Sequence, residues 1–246
     1  MPSVERLKIK LFCDGADFDT IIALSADPRI KGFTTNPTLM RKAGVLDYEA
    51  FAYKVLRAIP NRPVSFEVFA DDAEGMEMQA LAIASWGRNT NVKIPVTNQT
   101  GEFMGQLIRR LSNAGVTPNV TAILTLDQVE QVAQALHPSV PAIVSVFAGR
   151  IADTGLDPIP VMKETRKILR SRPKAELLWA SPRELLNIFQ ADEAGCHIIT
   201  VPPEILGKLS LVGKDLTAYS LETVHMFHSD ARASAFRIDT NALAPI

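Results

Sequence analysis

A lysine lies inside the apolar, β-branched stretch VKIPV, residues 92–96, where a buried strand rarely contains an ammonium group. Desolvation favours the neutral form of an amine, and its lone pair can then condense with a carbonyl to form a Schiff base. Imine formation and cleavage need proton transfers and a held water, for which Asp14, Glu67 and Thr121 are the candidates. Lys93 could instead be a structural lysine paired with one of these acids, and the residues alone leave both interpretations open.

A second set of residues could bind an anionic head group. Arg150 lies just beyond one strand-like run, and Ser181 and Arg183 lie at the end of the next run, where a helix begins. A hydroxyl, helix-terminal N–H groups and two guanidinium groups suit a phosphate or a sulfonate. The competing interpretation is that each arginine forms a surface ion pair with an acidic residue close by in the sequence.

Eight short β-rich runs alternate with amphipathic stretches along the chain. The runs cover residues 9–14, 31–36, 64–69, 90–96, 117–124, 142–149, 176–181 and 197–202. Apolar residues recur at helical spacing between them, as in residues 74–86, 102–115 and 126–136. This alternation predicts an α/β fold, a (β/α)8 TIM barrel that spans residues 1–246 as a single domain.

Two features of the chain bear on that architecture. A doubly wound open sheet is the structural alternative, but the sequence CDGAD after the first run is not the glycine-rich phosphate loop that often accompanies it. A further amphipathic pattern follows the eighth run. It predicts a C-terminal extension helix over residues 212–237, which would cover the barrel or reach a neighbouring subunit.

Side chains alternate between the two faces of a strand, so the polar residues of each run can be assigned to one face. If the β-branched residues face the helices, one face of each run points inward, and this inward set includes Phe12, Asp14, Thr34, Asn36, Ser65, Glu67, Asn91, Lys93, Asn119, Thr121, Ser145, Phe147 and Ser181. The same alternation predicts that Trp179 points inward and that Leu178 and Ala180 point outward. The polar groups would meet near the carboxyl ends of the strands, where barrel enzymes assemble their active sites.

Composition excludes several classes of protein. The 246 residues carry a formal net charge of −1 and are 47% hydrophobic, so no basic footprint suggests nucleic acid. No apolar run reaches the ~18 residues of a membrane span, and the N-terminus lacks the pattern of a signal peptide. Cys13 and Cys196 form no CxxC motif, which favours the cytoplasm. The four histidines show no ligand spacing, so no metal site is expected.

Five blocks in order resemble the transaldolase family in its small, single-barrel branch, which also contains fructose-6-phosphate aldolases. They are GFTTNPTLM (32–40), NVKIPVT (91–97), VSVFAGRIADTG (144–155), LLWASPREL (177–185) and GCHIITVPPEIL (195–206). The resemblance implies a (β/α)8 barrel and class I aldol chemistry on sugar phosphates without metal or cofactor. It also implies a homo-oligomer, a pentamer or a decamer.

The resemblance also implies a role for each matching residue. Lys93 matches the lysine that forms an imine with a ketose, and Asp14 matches the acid/base on the donor hydroxyl. Glu67 and Thr121 match the pair that holds the catalytic water. The substrate-binding positions are Thr35 and Asn36 of the TTNP motif, Ser145 and Phe147, and the phosphate-end residues Arg150, Ser181 and Arg183.

Two positions favour transaldolase over aldolase. The aldolase-type members resemble this chain but place glutamine at position 67 and tyrosine at position 147, where this chain has Glu67 and Phe147. A phenylalanine cannot help to place a hydrolytic water, so the imine would wait for an acceptor aldehyde. Val146, Ala148 and Pro182 depart from the family pattern near the far end of the substrate. A sulfonated sugar therefore remains an alternative, as does a catalytically silent barrel that binds a sugar phosphate.

Overall fold

The computed structural model describes residues 3–240, and within them eight parallel strands close into a barrel in sequence order. The strands are β1 Lys10–Asp14, β2 Ile30–Thr34, β3 Val64–Glu67, β4 Thr90–Pro95, β5 Pro118–Ile123, β6 Ala142–Val146, β7 Ala175–Trp179 and β8 Ile198–Val201. Strand β8 pairs with β1 and completes the ring. The predicted (β/α)8 TIM barrel is confirmed. Of the predicted domain, residues 1–2 and 241–246 lie outside the described residues.

Helices follow the strands and cover the outside of the barrel. They are α1 Phe18–Ser25, α2 Pro37–Lys42, α3 Tyr48–Ala58, α4 Ala73–Ser85, α5 Gly105–Asn113, α6 Leu126–Ala135, α7 Ala148–Asp153, α8 Pro158–Ile168, α9 Leu186–Glu193, α10 Pro203–Leu206 and α11 Leu216–Ala233. Most begin at a side chain that accepts a hydrogen bond from the first turn, as Asn36 does for α2 and Asp47 for α3. The cap on α2 fixes the chain at the point where β2 leaves the sheet.

The main core lies between the strands and the helices. Outward residues of the central strands, such as Val92, Val120 and Val144, are completely buried there. A second, smaller apolar cluster fills the barrel axis and consists of Phe12, Ile143, Leu178, Ala180 and Ile198. These apolar side chains lie inside the barrel, and polar side chains of the other strands lie at its carboxyl end.

Strand β7 contradicts the predicted orientation of three residues. Ser145 pairs with Leu178 and Val146 pairs with Trp179, and paired residues of adjacent strands point to the same side of a sheet. Leu178 therefore lies inside the barrel, whereas Trp179 packs in the outer core and is 1% exposed. Ala180, directly after β7, also belongs to the inner cluster. The predictions for Leu178, Trp179 and Ala180 are wrong because β7 is apolar on both faces, so alternation does not reveal which face is inward.

The last helix stands apart from the barrel. Helix α11 occupies residues Leu216–Ala233 within the predicted 212–237, and none of its residues is buried. Val224 and Phe227 are among its exposed large apolar side chains. Within residues 3–240, no helix is long and apolar enough to cross a membrane.

Candidate active site

A cavity of about 490 Å³ opens at the carboxyl ends of the strands. Nine of the eleven predicted site residues line it, namely Asp14, Asn36, Glu67, Lys93, Thr121, Ser145, Phe147, Arg150 and Ser181. Thr35 and Arg183 are not among its lining residues. The strands thus bring together groups that are as much as 167 positions apart in the chain (181 − 14).

Lys93 projects from the centre of this wall and is 7% exposed. Its Nζ lies 2.9 Å from Glu67 Oε2 and donates to the main-chain oxygen of Thr35 at 2.8 Å. An ammonium group has three N–H donors, and these two contacts use two of them. Lys93 is thus paired with an acid, as the structural interpretation predicts, and it also borders the cavity, as the catalytic interpretation requires.

Asp14 ends β1 beside a short chain of hydroxyls. Its Oδ1 accepts a hydrogen bond from Thr34 Oγ1 at 2.7 Å, and Thr34 in turn shares a hydrogen bond with Thr200. Burial raises the pKa of Asp14, although the Thr34 hydrogen bond and the positive charge of Lys93 act in the opposite direction. A carboxyl group that keeps its proton longer than usual is suited to acid/base catalysis.

Glu67 and Thr121 lie on either side of the lysine strand. Glu67 is directly opposite Lys93 in the pairing of β3 with β4, and Thr121 is opposite Pro95 in the pairing of β4 with β5. The buried Thr121 hydroxyl has no hydrogen-bond partner among the described residues, and it borders the cavity. A buried hydroxyl without a partner is a natural place for a water molecule or a substrate oxygen.

Asn36 and Ser145 border the cavity with part of their hydrogen-bonding capacity already used. Asn36 Oδ1 accepts the N–H of Leu39 at 3.0 Å, which uses one of its two lone pairs and leaves both amide donors for a ligand. Ser145 Oγ donates to Asn119 Oδ1 at 2.6 Å, and Asn119 Nδ2 donates to Ser65 Oγ at 3.1 Å. This buried network fixes the Ser145 hydroxyl, whose lone pairs can accept a hydrogen bond from a ligand.

The far end of the cavity carries one arginine. The Arg150 guanidinium lies 5.4 Å from the centre of the Phe147 ring, a cation–π arrangement. Ser181 adopts a left-handed φ of 59°, and its carbonyl oxygen lies where a Cβ on Gly149 would be, at 1.5 Å. Only glycine at position 149 allows the first turn of α7 to approach the Ser181 backbone so closely.

Two predicted residues have partners away from the cavity. Arg183 pairs with Asp153 through both nitrogens of its fork, with Nε to Oδ1 at 2.8 Å, and this bond lowers the pKa of Asp153. The competing interpretation of Arg183 was a surface ion pair. The structure shows such a pair, but its partner Asp153 is farther away in the sequence than the acids that were considered. The Thr35 hydroxyl donates to the Ser65 carbonyl at 2.8 Å and is completely buried, so Thr35 reaches the site only through its own carbonyl.

Several lining residues were not predicted as site residues. Thr34, Asn119 and Thr200 all border the cavity. Alternation assigns Thr34 and Asn119 to the inward face, and it could have added Thr200, which lies on β8 and shares a hydrogen bond with Thr34 of β2. In the described part of the chain, no group of three or more His, Cys, Asp or Glu residues could hold a metal ion.

Comparison with a known structure supports the fold. A crystal structure titled "putative phosphonomutase" from Burkholderia cenocepacia superposes with a TM-score of 0.54 and 13% sequence identity. It covers 91% of this chain and 93% of its own. At this identity the similarity shows the barrel fold alone.

Sequence relatives identify the family. A "Probable transaldolase 2" from Listeria monocytogenes is 34% identical over 82% of this chain and 88% of its own length. A "Probable transaldolase" from a Thermoanaerobacter species is 32% identical over 94% of this chain and 100% of its own length. The family described as Transaldolase/Fructose-6-phosphate aldolase matches residues 11–245. This chain belongs to that family.

Proposed function

We propose that the protein is a class I transaldolase. It transfers a dihydroxyacetone unit from a ketose phosphate, such as fructose 6-phosphate, to an aldehyde acceptor, such as erythrose 4-phosphate. The observation that carries the proposal is the Lys93 amine, which borders a cavity that also contains Asp14, Glu67 and Thr121. Family membership supports the reaction class.

The proposed reaction begins with the attack of the neutral Lys93 amine on the C2 carbonyl of the ketose. Glu67, which takes a proton from the Lys93 ammonium group before the attack, gives it to the carbinolamine hydroxyl, and loss of water leaves a protonated imine. Glu67 and the hydroxyl of Thr121 are then in reach to hold that water. Asp14 then removes the proton from the C4 hydroxyl. The C3–C4 bond breaks, its electron pair moves towards the imine to form an enamine, and an aldehyde leaves.

Transfer completes the cycle. The enamine carbon attacks the carbonyl of the acceptor aldehyde, and Asp14 returns its proton to the new hydroxyl group. Water then hydrolyses the imine and frees Lys93. Ser145 and the amide donors of Asn36 are placed to bind the hydroxyls of the three-carbon unit throughout. Neither a metal nor another cofactor takes part in this proposal, so activity should be insensitive to EDTA.

The dependence on acceptor distinguishes this proposal from hydrolytic aldolase activity. We expect steady turnover of fructose 6-phosphate only with erythrose 4-phosphate present. Without acceptor, about one equivalent of glyceraldehyde 3-phosphate per site should appear in a burst and then stop, because Phe147 offers no hydroxyl to direct water at the imine. A coupled assay in both conditions measures this. Equal rates would contradict the transferase and favour an aldolase that releases dihydroxyacetone, for which the supporting feature is the Thr121 hydroxyl without a partner among the described residues.

Arg150 is proposed to bind the anionic head group. It has no ion-pair partner among the described residues, and it borders the cavity. We expect Arg150→Met to lower kcat/KM for fructose 6-phosphate by about 10- to 100-fold, the effect of losing a charge-assisted hydrogen bond. Activity on unphosphorylated fructose should not change. Initial rates on both ketoses measure the effect.

Arg183→Met is the matched variant for that test. Because Arg183 is held by Asp153 outside the cavity, we expect less than about a threefold loss on the phosphorylated ketose. An equal loss in the two variants would mean that Arg183 leaves its ion pair to bind the substrate. With a single arginine at the cavity, a sulfonate head group is the second candidate, and 6-deoxy-6-sulfofructose in the same assay compares the two.

Assembly and location are also proposals. We propose that the protein is a cytoplasmic homo-oligomer in which exposed apolar residues of α11, such as Val224 and Phe227, pack on another copy. Both cysteines are unpaired and buried, in keeping with a reducing compartment. Sedimentation velocity measures the assembly directly, and a monomer at all concentrations would contradict it. The number of subunits expected by resemblance is five or ten.

A further inference from the structure

The hydrogen-bond ladder between β2 and β3 stops one step before the active site. The N–H of Thr35 donates to the carbonyl of Ser65 at 3.2 Å. In a parallel ladder the next bond would run from the N–H of Glu67 back to the carbonyl of Thr35. The Glu67 N–H instead donates to the hydroxyl of Tyr48 at 2.8 Å, and that hydroxyl donates to the Glu67 carbonyl at 2.9 Å. The Tyr48 hydroxyl thus makes the hydrogen bonds to Glu67 that a longer β2 strand would otherwise make.

The carbonyl that this exchange leaves free is the one that holds the lysine. The Thr35 oxygen accepts a hydrogen bond from Lys93 Nζ at 2.8 Å. We propose that Tyr48 is a positioning residue for the Lys93 amine. Its hydroxyl occupies the N–H of Glu67, so the carbonyl of Thr35 remains available to orient the amine towards the cavity. The inference rests on the proposed Schiff-base role of Lys93.

Tyr48 is itself well fixed for this task. It is the first residue of α3, directly after the Asp47 cap. Its ring contacts Phe66, Phe69 and Trp86, with centroids 6.0, 4.6 and 5.4 Å apart. Burial raises the pKa of the Tyr48 hydroxyl, so the group keeps the proton that it donates to the Glu67 carbonyl.

Removal of the Tyr48 hydroxyl should therefore lower kcat more than it weakens the binding of substrate. In Tyr48→Phe, the N–H of Glu67 loses its partner and can compete with Lys93 for the Thr35 carbonyl. Both the amine and the Glu67 carboxylate would shift, and a displacement of about 1 Å from reacting geometry can slow a reaction by about 100-fold. The residues proposed to bind the substrate hydroxyls and head group are untouched.

The test compares Tyr48→Phe with Tyr53→Phe. Tyr53 belongs to the same aromatic cluster through Trp86, but its hydroxyl has no hydrogen-bond partner among the described residues. For Tyr48→Phe we expect kcat and the rate of borohydride trapping with fructose 6-phosphate to fall by about 10- to 100-fold. KM should change by less than about threefold, and Tyr53→Phe should match the wild type. Unchanged kcat and trapping rate in a folded Tyr48→Phe, or equal losses in kcat and in substrate affinity, would overturn the proposal.

A second measurement covers the case in which Tyr48→Phe does not fold. A fluorinated tyrosine at position 48 keeps the ring and the hydroxyl but loses its proton at lower pH. We expect kcat to decline at a lower pH than in the wild type, and a pH profile identical to that of the wild type would overturn the proposal. A different result would show that the proposed function itself is wrong. In that case the wild type would not be trapped by borohydride with any ketose phosphate.

Discussion

Lys93→Met should abolish both borohydride trapping and turnover, with kcat reduced at least about a thousandfold. Methionine has a similar length but no amine, so it cannot condense with the C2 carbonyl. No other amine among the cavity-lining residues can replace it. Intact-mass spectrometry after borohydride treatment with fructose 6-phosphate should show the added mass on the wild type and not on Lys93→Met.

Lys10→Met is the matched control. Lys10 lies at the start of β1, where it forms an exposed ion pair with Glu176 at 2.6 Å beside the opposite mouth of the barrel. Such a pair is worth less than about 1 kcal/mol, so trapping and turnover should persist. The Lys93 variant leaves Glu67 without its cation, so circular dichroism must show a folded protein. A folded Lys93→Met that is still trapped, or still active, would reject both the transaldolase and the aldolase.

Asp14→Asn should separate activity from stability. We expect kcat to fall by about 100- to 10,000-fold, because an amide cannot take the proton from the C4 hydroxyl. The free energy of unfolding, by contrast, should be higher in Asp14→Asn than in the wild type. Asparagine has nearly the same shape and can still accept the hydrogen bond from Thr34, but it has no charge to desolvate.

The pH dependence follows from the direction of the Asp14 pKa shift. Burial raises this pKa in the folded state, so between the unfolded and folded pKa values the folded state binds more protons. The contribution of Asp14 is fully favourable below the unfolded pKa of about 3.9 and is lost as the pH rises through the folded value. The stability gain of Asp14→Asn should therefore appear as the pH rises above the unfolded pKa, which urea unfolding at several pH values measures.

Asp17→Asn provides the comparison within the same loop. The pKa of Asp17 is lowered by hydrogen bonds from the side chain and the backbone of Thr20, so its charged form is favoured. That variant should keep its activity and gain no stability at any pH. A loss of stability in Asp14→Asn at neutral pH would contradict the assignment of a desolvated carboxyl group at position 14.

Alternation predicted the inward residues of the central strands because the two faces of those strands differ in polarity. In β3 to β6, Glu67, Lys93, Thr121 and Ser145 alternate with fully buried apolar residues, and all four border the cavity. The same argument failed for β7, where Leu178 and Trp179 are both apolar. Only the pairing with β6 decides which of the two points inward.

The sequence did not predict the hydrogen-bond and ion-pair partners that lie far apart in the chain. Arg183 is predicted to be near a phosphate, yet its fork is held by Asp153, 30 positions earlier. Tyr48 carries no motif and lies on a helix, and its bonds to Glu67 exist only because β2 ends before β3 does. These contacts depend on how loops and helices stack above the strand ends, and local patterns of polarity contain no information on that stacking.

The sequence by itself determined the eight alternations, the closed barrel and the presence of an amine among acids and hydroxyls. These follow from periodicity, which is a property of neighbouring residues. The tertiary structure alone decided that the Thr35 carbonyl and the Glu67 carboxylate both hold the Lys93 amine, and that one arginine borders the cavity while the other is paired away from it. Hydrogen-bond partners at a site are chosen by distance and direction in space, and those are settled only when the whole ring has closed.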